Sequence, residues 1–424
     1  MKFEERRAEL MFLLLLFVIS FGLRVYKIEV PNRLIGDEVY YVPAARSILG
    51  QNDAGVPQDP RLAHPPLGKM MIALGMFLFG DNPFGWRILS AVAGSLLIPV
   101  SYLVAKRLAS GRKELNNMAY LASFVMAFET LGFYFSRVAR LDIFMMLFFL
   151  AGVFFLLDLK PKRRLVAAPF FAASFLAKEA AAIMILPVLL YSALRMDEIK
   201  GGKAVKRIKL HFDIKQFALL AILSGLAVLA LWHILEWVIL TPTRANIVDR
   251  ILVMIRRLDI DNPAAVGRSQ IWMWFFNQPV TRAAAVIPGV RIDFTTVVVG
   301  PLLNPNLQYA YIIQPSWTLI LPMVPGMIYM MLNFVKEPVA RFSFLYWFGV
   351  LTGWVVINVV FRGLVYLFYV LTFVPAVVFA ISYFLSRRLH EESRTKSVKW
   401  FGITLLFVIA HLANFVALYP VPIP

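Results

Sequence analysis

Residues 160–195 read KPKRRLVAAPFFAASFLAKEAAAIMILPVLLYSALR and contain an apolar run of thirty residues, from Leu165 to Leu194, between two basic clusters. The run is too long for one ordinary membrane span, and basic clusters of this kind stay on the cytoplasmic side of a membrane. Because both ends then lie on the same side, the chain must cross the membrane and return. The segment predicts a tight helical hairpin with Lys178 and Glu179 at its outer tip.

The composition of the whole chain is that of a membrane protein. Of its 424 residues 60% are hydrophobic and 16% are charged, and the mean hydropathy is +0.72. Soluble domains and a porin-like barrel are excluded, because apolar runs of about twenty residues recur and are continuous rather than alternating. The net charge of +18 predicts no nucleic-acid partner here, since the basic residues first have to be sorted by membrane side. Cysteine is absent, which excludes disulfides and thiol chemistry.

The apolar runs predict an all-α polytopic protein with about eleven spans. They lie at about residues 8–29, 84–107, 115–136, 141–159, 165–177, 180–194, 214–240, 314–335, 342–361, 363–386 and 400–419. With a cytoplasmic N-terminus, the inner segments contain 25 of the 43 Lys and Arg residues. This distribution follows the positive-inside pattern.

Three regions follow from this topology. Residues 1–240 form a transmembrane module that includes a first outer loop at 30–83, residues 241–313 form a second outer loop, and residues 314–424 form the C-terminal helices. Each loop contains an apolar or amphipathic stretch too short to span, at 67–80 and 244–258, which predicts two helices in the membrane interface. The chemistry is expected among these loops, at the extracytoplasmic face.

The first outer loop carries two groups of reactive side chains. Asp37 and Glu38 are adjacent acids just past the first span, in the sequence GDEVYY that also supplies Tyr40 and Tyr41. The sequence AHPPLGKMM follows and contains His64 and Lys69, with two prolines that stiffen the backbone before the interfacial helix. A solvated pair of loop acids is the alternative interpretation for Asp37 and Glu38, and a lone loop histidine or lysine is more often structural than functional.

A charged outer turn joins the third and fourth predicted spans, in the sequence ETLGFYFSRVARLD at 129–142. Arg137 and Arg140 could pair with Glu129 and Asp142 and so tie the two helices together. They could also join Lys178 and Lys69 in a cationic cradle for a phosphate at the lipid interface, because guanidinium groups offer bidentate hydrogen bonds and an ammonium offers a point charge.

These segments resemble a known family. GDEVYY, AHPPLGKMM, SRVARLDIF and FLAKEAAA, in this order and on these spans, resemble the protein O-mannosyltransferases and the related lipid A aminoarabinose transferases, which use polyprenyl-phosphate sugars. The segment 267–279, with Trp272 and Trp274, is similar to a later outer-loop motif of the family. Arg362 and Tyr366 are similar to its Arg and Tyr pattern.

The resemblance implies a glycosyltransferase of the GT-C fold, with the acid-bearing loop at the active site. It also implies three groups of site residues. Its acids are Asp37 as the base, its neighbour Glu38 and Asp142; its donor-phosphate contacts are His64, Lys69, Arg137, Arg140, Lys178 and Arg362; its substrate pocket includes Tyr40, Tyr41, Trp272, Trp274 and Tyr366. The sugar, the prenyl length and the acceptor, a protein Ser or Thr, a lipid or a glycan, stay open.

The chemistry itself asks for one base and one cationic cradle. A sugar on a polyprenyl phosphate already has a good leaving group, so an acid opposite positive charge suffices for an inverting displacement. No cofactor is implied, and a divalent metal would be optional. Asp259 with Asp261 imitates a metal-binding Asp-x-Asp, and His233 with Glu236 offers two zinc-ligand types, but neither set predicts a site by itself.

The predicted protein is therefore an integral membrane glycosyltransferase of a prokaryotic plasma membrane or its equivalent. Its partners are a polyprenyl-phosphate-linked sugar, an acceptor hydroxyl and membrane lipids. The competing class is a transporter or flippase of lipid-linked sugars, for which many spans and buried charges are also expected. Internal repeats typical of transporters are not evident in the sequence, and the acids lie in outer loops rather than in the middle of spans.

Overall fold

The computed structural model describes most of the chain. The described residues are 2–30, 32–51, 64–201, 204–239, 247–248, 251–252, 270–276, 284–287, 290–293, 296–299, 309–312, 314–361, 365–393 and 397–419. These residues are mainly helical, and the helices pack on one another around a shared apolar core. The predicted site residue Arg362 and the acids Asp259 and Asp261 lie outside the described residues.

The described helices of the first 200 residues are of two kinds, long apolar rods and short segments near their ends. They are α1 (Lys2–Val25), α2 (Glu38–Ile48), α3 (Leu67–Phe79), α4 (Pro83–Leu108), α5 (Met118–Ala127), α6 (Thr130–Phe135), α7 (Leu141–Leu156), α8 (Pro161–Arg164), α9 (Ala167–Ala177) and α10 (Ala181–Ala193), with a 3₁₀ turn at Lys113–Leu115.

The rest of the described chain adds six helices and three antiparallel strand pairs. The helices are α11 (Ile214–Ile234), α12 (Ile271–Trp274), α13 (Trp317–Leu332), α14 (Pro338–Val359), α15 (Val374–Glu392) and α16 (Lys399–Leu418), with a π turn at Leu235–Ile239 and a 3₁₀ segment at Leu367–Phe373. The strands pair as β1 (Leu194–Gly201) with β2 (Ala204–Phe212), β3 (Ala284–Ile287) with β4 (Val290–Asp293), and β5 (Thr296–Val299) with β6 (Tyr309–Ile312).

Six helical segments are long and apolar enough to cross a membrane. They are Glu4–Val25, Pro83–Leu108, Ile214–Trp237, Pro338–Val359, Leu367–Glu392 and Lys399–Leu418. Shorter apolar helices at Leu67–Phe79, Leu141–Leu156, Ala181–Ala193 and Trp317–Leu332 accompany them. Described helix is present at all eleven predicted positions, but a count of eleven spans stays a prediction because several of these helices are short.

The hairpin predicted between residues 165 and 194 is present. Its arms are α9 and α10, and the chain turns at Lys178 and Glu179. The hydroxyl of Ser174 donates to the carbonyl of Met145 at 2.8 Å, which fixes α9 against α7. At Gly68 a Cβ atom would lie 2.7 Å from the carbonyl oxygen of Ala177, so only glycine lets α3 approach the hairpin tip this closely.

One predicted span is interrupted. The apolar run at 115–136 forms two helices, α5 and α6, because the helix is interrupted at Glu129. Its carboxylate accepts hydrogen bonds from the backbone amides of Leu131 at 3.0 Å, Gly132 at 2.6 Å and Ser316 at 3.3 Å. An N-cap of this kind satisfies the free amides of a helix start, and here it also fastens the first turn of α13.

The two ends of the bundle carry different charges. At the end predicted to be cytoplasmic, basic side chains pair across helices: Arg107 with Asp158 at 2.9 Å, and both Arg112 and Arg387 with Glu337. At the opposite end lie the outer turn before α7, the tip of the α9–α10 hairpin and the start of α4. This second end contains most of the predicted site residues.

The predicted short elements have mixed outcomes. The helix predicted at 67–80 is present as α3, and its location in the membrane interface stays a prediction. In the predicted helix at 244–258 the described residues are helical, and Ile247 and Ile251 pack near Trp232. The sequence interpretation did not include α2 in the first outer loop or any strand pair. The β1–β2 hairpin lies in a basic, polar stretch, where no apolar periodicity marks a strand.

Replacing Glu129 by alanine should destabilise the protein, because three backbone amides lose their acceptor in a buried position. We expect a loss of about 3 kcal/mol for Glu129→Ala and a smaller loss for Glu129→Gln, which keeps one acceptor oxygen. Thermal unfolding followed by tryptophan fluorescence measures both. The exposed Glu29→Ala is the control and should be neutral; equal stability of Glu129→Ala and Glu29→Ala would contradict the capping role.

Candidate active site

A cluster of two carboxylates and two cationic side chains lies at the end of the bundle opposite the one predicted to be cytoplasmic. It joins the first outer loop, the turn before α7 and the hairpin tip. The Nη2 atom of Arg140 lies 2.5 Å from Oδ2 of Asp37, and its Nε atom lies 3.3 Å from Oδ2 of Asp142. The Nζ atom of Lys178 donates to Oδ1 of Asp142 at 2.7 Å. The four charges therefore alternate in sign along one chain of contacts.

This cluster is shielded from water to different degrees. The side chains of Arg140, Asp142 and Lys178 are 3 to 5% exposed, while that of Asp37 is 14% exposed. Burial alone would lower the pKa of Arg140, but the neighbouring carboxylates Asp37 and Asp142 outweigh it and raise that pKa above its ordinary value. Arg140 therefore stays positively charged at any working pH.

Aromatic rings surround the two cations. The guanidinium carbon of Arg140 lies 4.2 Å from the ring centroid of Phe135 and 4.5 Å from that of Phe368. The Nζ atom of Lys178 lies 5.6 Å from the ring of Tyr369 and 5.9 Å from that of Phe368. Such contacts stabilise a cation through the negative face of the ring while they keep water away.

His64 lies beside this cluster and contacts the hairpin tip. Its Nδ1 atom is 2.8 Å from both carboxylate oxygens of Glu179, and its ring packs edge-to-face on Tyr41. Burial opposes the charge of Glu179, but the neighbouring His64 outweighs it and holds the pKa of that carboxyl below its ordinary value. The pair is partly exposed, so it forms a polar rim rather than a core contact.

The structure assigns Glu38 a different place from its neighbour Asp37. The Glu38 side chain is fully buried, and Arg87 donates to both of its oxygens at 2.7 and 2.8 Å. Glu38 also accepts from the backbone amides of Ile35 at 3.0 Å and Ala139 at 2.9 Å. A carboxylate with all these donors has no free oxygen for a substrate in this structure, which favours a structural role for Glu38 over the predicted catalytic one.

Two predicted phosphate contacts, Arg137 and Lys69, donate to backbone carbonyls in this structure. Arg137 donates to the carbonyls of Leu23 at 2.6 Å and Tyr26 at 2.9 Å, where it satisfies the free carbonyls at the C-terminal end of α1. Lys69 is 1% exposed and donates to the backbone carbonyl of His64 at 2.8 Å. The arginine does not pair with Glu129, as one alternative had it, and the lysine supports the loop that presents His64.

The predicted pocket aromatics divide into two groups. Tyr40 is 46% exposed, and Trp272 is 54% exposed, so both can contact a ligand or lipid. Burial and the negative charge of Asp37 raise the pKa of Tyr366, whose ring stacks on Phe368. Trp274, in contrast, is fully buried in the core, 6.1 Å in ring-centroid distance from Phe373.

The described part of the chain contains no group of three metal-ligating side chains. Glu236, one of two candidate zinc ligands, accepts a hydrogen bond from the indole of Trp232 at 3.2 Å. The other, His233, is exposed and packs on Trp237. The zinc interpretation of this pair is not supported by these contacts.

Parts of the sequence are similar to known proteins. Residues 63–232 match the family described as dolichyl-phosphate-mannose-protein mannosyltransferase (PMT). A polyprenol-phosphate-mannose–protein mannosyltransferase of Mycolicibacterium smegmatis is 36% identical over 121 residues, which cover 28% of this chain and 22% of that protein. An undecaprenyl phosphate-α-4-amino-4-deoxy-L-arabinose arabinosyl transferase of Pseudomonas paraeruginosa is 39% identical over 98 residues, which cover 22% of this chain and 18% of that protein.

Two solved structures share the fold of this chain. ArnT from Cupriavidus metallidurans superposes with a TM-score of 0.55 at 16% identity, over 93% of this chain and 62% of that one. The oligosaccharyltransferase of Archaeoglobus fulgidus superposes with a TM-score of 0.53 at 16% identity, over 97% of this chain and 55% of that one. The chain is therefore similar to the PMT family over residues 63–232, and it shares the GT-C fold. It is an integral membrane protein, and it aligns with about a fifth of the length of its curated relatives.

Sequence reasoning missed several residues that build this GT-C site. Arg87 lies inside a predicted span, where a lone arginine is rare enough to signal a buried partner. Phe135 and Phe368 read as ordinary apolar residues of their helices, and nothing in their spacing indicates that they contact Arg140. Glu179 was placed at the hairpin tip, but its contact with His64 depends on how α3 packs against that tip.

Breaking the Glu38–Arg87 pair should be strongly destabilising in this GT-C protein. Arg87→Met leaves a buried carboxylate without its main partner, and we expect a loss of about 3–5 kcal/mol. The double variant Glu38→Gln/Arg87→Met should be more stable than Arg87→Met alone, because no unpaired charge remains. Thermal unfolding in detergent measures the coupling.

The partly exposed pair of Arg46 with Asp81, 2.7 Å apart, is the matched control for this double-variant cycle. Removing it should change stability by less than about 1 kcal/mol. A strictly additive Glu38–Arg87 cycle, or an equal loss at the control pair, would show that the buried pair has no special structural role.

Proposed function

We propose that this protein transfers a sugar from a polyprenyl monophosphate to an acceptor hydroxyl at the extracytoplasmic face of the membrane. The observation that carries the proposal is the placement of one partly exposed acid, Asp37, directly against the buried Arg140, which Asp142 links to the buried Lys178. The names of the similar proteins support this class of donor, since they specify polyprenol-phosphate-mannose and undecaprenyl phosphate-linked aminoarabinose. One ArnT structure is described as bound to undecaprenyl phosphate.

The reaction needs only groups that this cluster supplies. The acceptor oxygen attacks the anomeric carbon of the sugar while the bond from that carbon to the phosphate oxygen breaks, which inverts the anomeric configuration. The acceptor proton passes to the carboxylate of Asp37. The prenyl phosphate leaves with the bonding electrons, and Arg140 and Lys178 stabilise its charge.

The other residues hold these groups in position. Asp142 bridges Arg140 and Lys178 and so fixes the distance between the two cations. His64 with Glu179 forms the rim of the site, and the exposed rings of Tyr40 and Trp272 are proposed to contact the sugar or acceptor. Mannose is the first sugar to test. The acceptor classes to test are a protein Ser or Thr, a lipid and a glycan.

The proposed arrangement in the membrane follows the distribution of charge. The N-terminus is cytoplasmic, and the loops at 30–83 and 241–313 are extracytoplasmic. Residues 1–240 then form the GT-C module, residues 241–313 the second outer loop and residues 314–424 the C-terminal helices. The basic residues paired at the opposite end of the bundle support this orientation.

Single cysteines in this Cys-free chain test the topology. We expect Gln51→Cys to react with a membrane-impermeant maleimide added to intact cells and Gly201→Cys to react only after the cells are permeabilised, because the positive-inside pattern puts position 201 in the cytoplasm. Labelling is read on a gel. Reaction of Gly201→Cys in intact cells, with a cytoplasmic marker protein unlabelled, would contradict the proposed orientation.

Incubation of the purified protein with a panel of polyprenyl-phosphate sugars and acceptors tests the function. We expect a new glycosidic product, detected by mass spectrometry. Asp37→Asn should lower turnover by about 10² to 10⁴, because it keeps the size of the side chain but removes the proton acceptor. Lys178→Met and Arg140→Lys should also lower turnover, since the first deletes a cation and the second loses the guanidinium fork.

The control for these variants is Asp81→Asn, an acid outside the cluster, which should keep full activity. Translocation of the lipid-linked sugar without any new glycosidic bond would favour the flippase alternative. Full activity of Asp37→Asn would remove Asp37 from the role of base.

A further inference from the structure

Arg140 is held more firmly than the acid it contacts. Two rings lie against its guanidinium group, and their centroids are 5.7 Å apart. Asp142 binds its Nε side and is itself held by Lys178. The side chain is 3% exposed, so a move away from this position would break several contacts at once. Arg140 is therefore the fixed member of its pair with Asp37.

The side chain of Asp37 is held less firmly than that of Arg140. Within the described residues its carboxylate forms its ion pair with Arg140, and its side chain is the most exposed of the four cluster charges. It stands directly before α2, and its side chain makes no capping hydrogen bond to that helix. The preceding Gly36 has a φ of +52° with open space around it, which makes this connection adaptable. Asp37 can therefore leave the pair without disturbing the helices.

The charges of the cluster are balanced without a substrate. Asp37 and Asp142 offset Arg140 and Lys178, so a donor phosphodiester would add a negative charge to a largely buried, neutral group. Such a charge is costly unless it gains a partner of its own. In addition, an oxygen of Asp37 that is bound to a guanidinium is less available to accept a proton.

We propose that Asp37 occupies the phosphate position on Arg140 while the donor is absent, and that the donor phosphate displaces it. This inference rests on the proposed function and adds a condition to it. The displaced carboxylate turns toward the acceptor hydroxyl, so the base becomes available only when a donor is bound. The protein then binds donor before it activates the acceptor, and Asp37 competes with the donor for one guanidinium.

The competition makes an unusual prediction: removing the base should tighten phosphate binding. In purified full-length protein, Asp37→Asn should lower the Kd for a polyprenyl monophosphate on the order of tenfold, because a competing group no longer reduces the fraction of protein with Arg140 available. Binding is measured by displacement of a fluorescent prenyl phosphate. Asp37→Ser is a second variant that serves if Asp37→Asn unfolds at a lower temperature.

Two controls separate displacement from a general loss of negative charge. Asp81→Asn removes an acid that lies outside the cluster and pairs with Arg46 rather than Arg140, and it should leave the Kd nearly unchanged. In an Arg140→Lys background, Asp37→Asn should give a much smaller gain, because the displaced contact is already weakened.

Three results would overturn the inference. They are an unchanged or higher Kd in Asp37→Asn, an equal gain in Asp81→Asn, and an undiminished gain in the Arg140→Lys background. Each of them leaves the proposed function standing if the wild-type protein binds prenyl phosphate and forms product. Failure of the wild-type protein to bind prenyl phosphate would overturn the proposed function and, with it, the displacement.

Discussion

The outer end of this protein depends on the buried ion pair between Glu38 and Arg87. A charge in that position is tolerated only because both carboxylate oxygens are bound and because Arg87 also donates to loop carbonyls. Glu38 binds the amide of Ala139 as well, and the residues next to these two are Asp37 and Arg140. One salt bridge thus positions both halves of the proposed acid–cation pair, although it touches neither of them.

The second level of organisation is a contrast between fixed and adaptable charges. Arg140 and Lys178 are enclosed by rings and bridged by Asp142, so their positions are set before a substrate arrives. Preorganised charge of this kind is effective because it needs no rearrangement during the reaction and acts where water is scarce. Asp37, with one contact and more solvent, has the freedom that a proton acceptor needs when it has to meet a diffusing hydroxyl.

The sequence predicts the fold better than the division of labour within the site. Basic clusters around long apolar runs determine where the chain turns, which is why the α9–α10 hairpin and its tip are correct. These patterns do not distinguish Asp37 from Glu38, because the sequence does not show which of two neighbouring loop acids has its side chain buried. They also do not show that Arg137 donates to the carbonyls at the end of α1, because only tertiary packing brings that helix end to the arginine. Arg87 stayed hidden within an apolar span.

The short hairpin explains why such a site can lie at a lipid interface. Its arms have 11 and 13 residues, so at about 1.5 Å per residue each rises less than the thickness of a hydrocarbon core of about 30 Å. In the proposed orientation, the tip with Lys178 then lies below the outer surface of the membrane rather than in open solvent. A lysine at that depth is costly alone, and Asp142 stabilises it. The same depth that makes the charge expensive lets it meet a phosphate whose prenyl chain stays in the membrane.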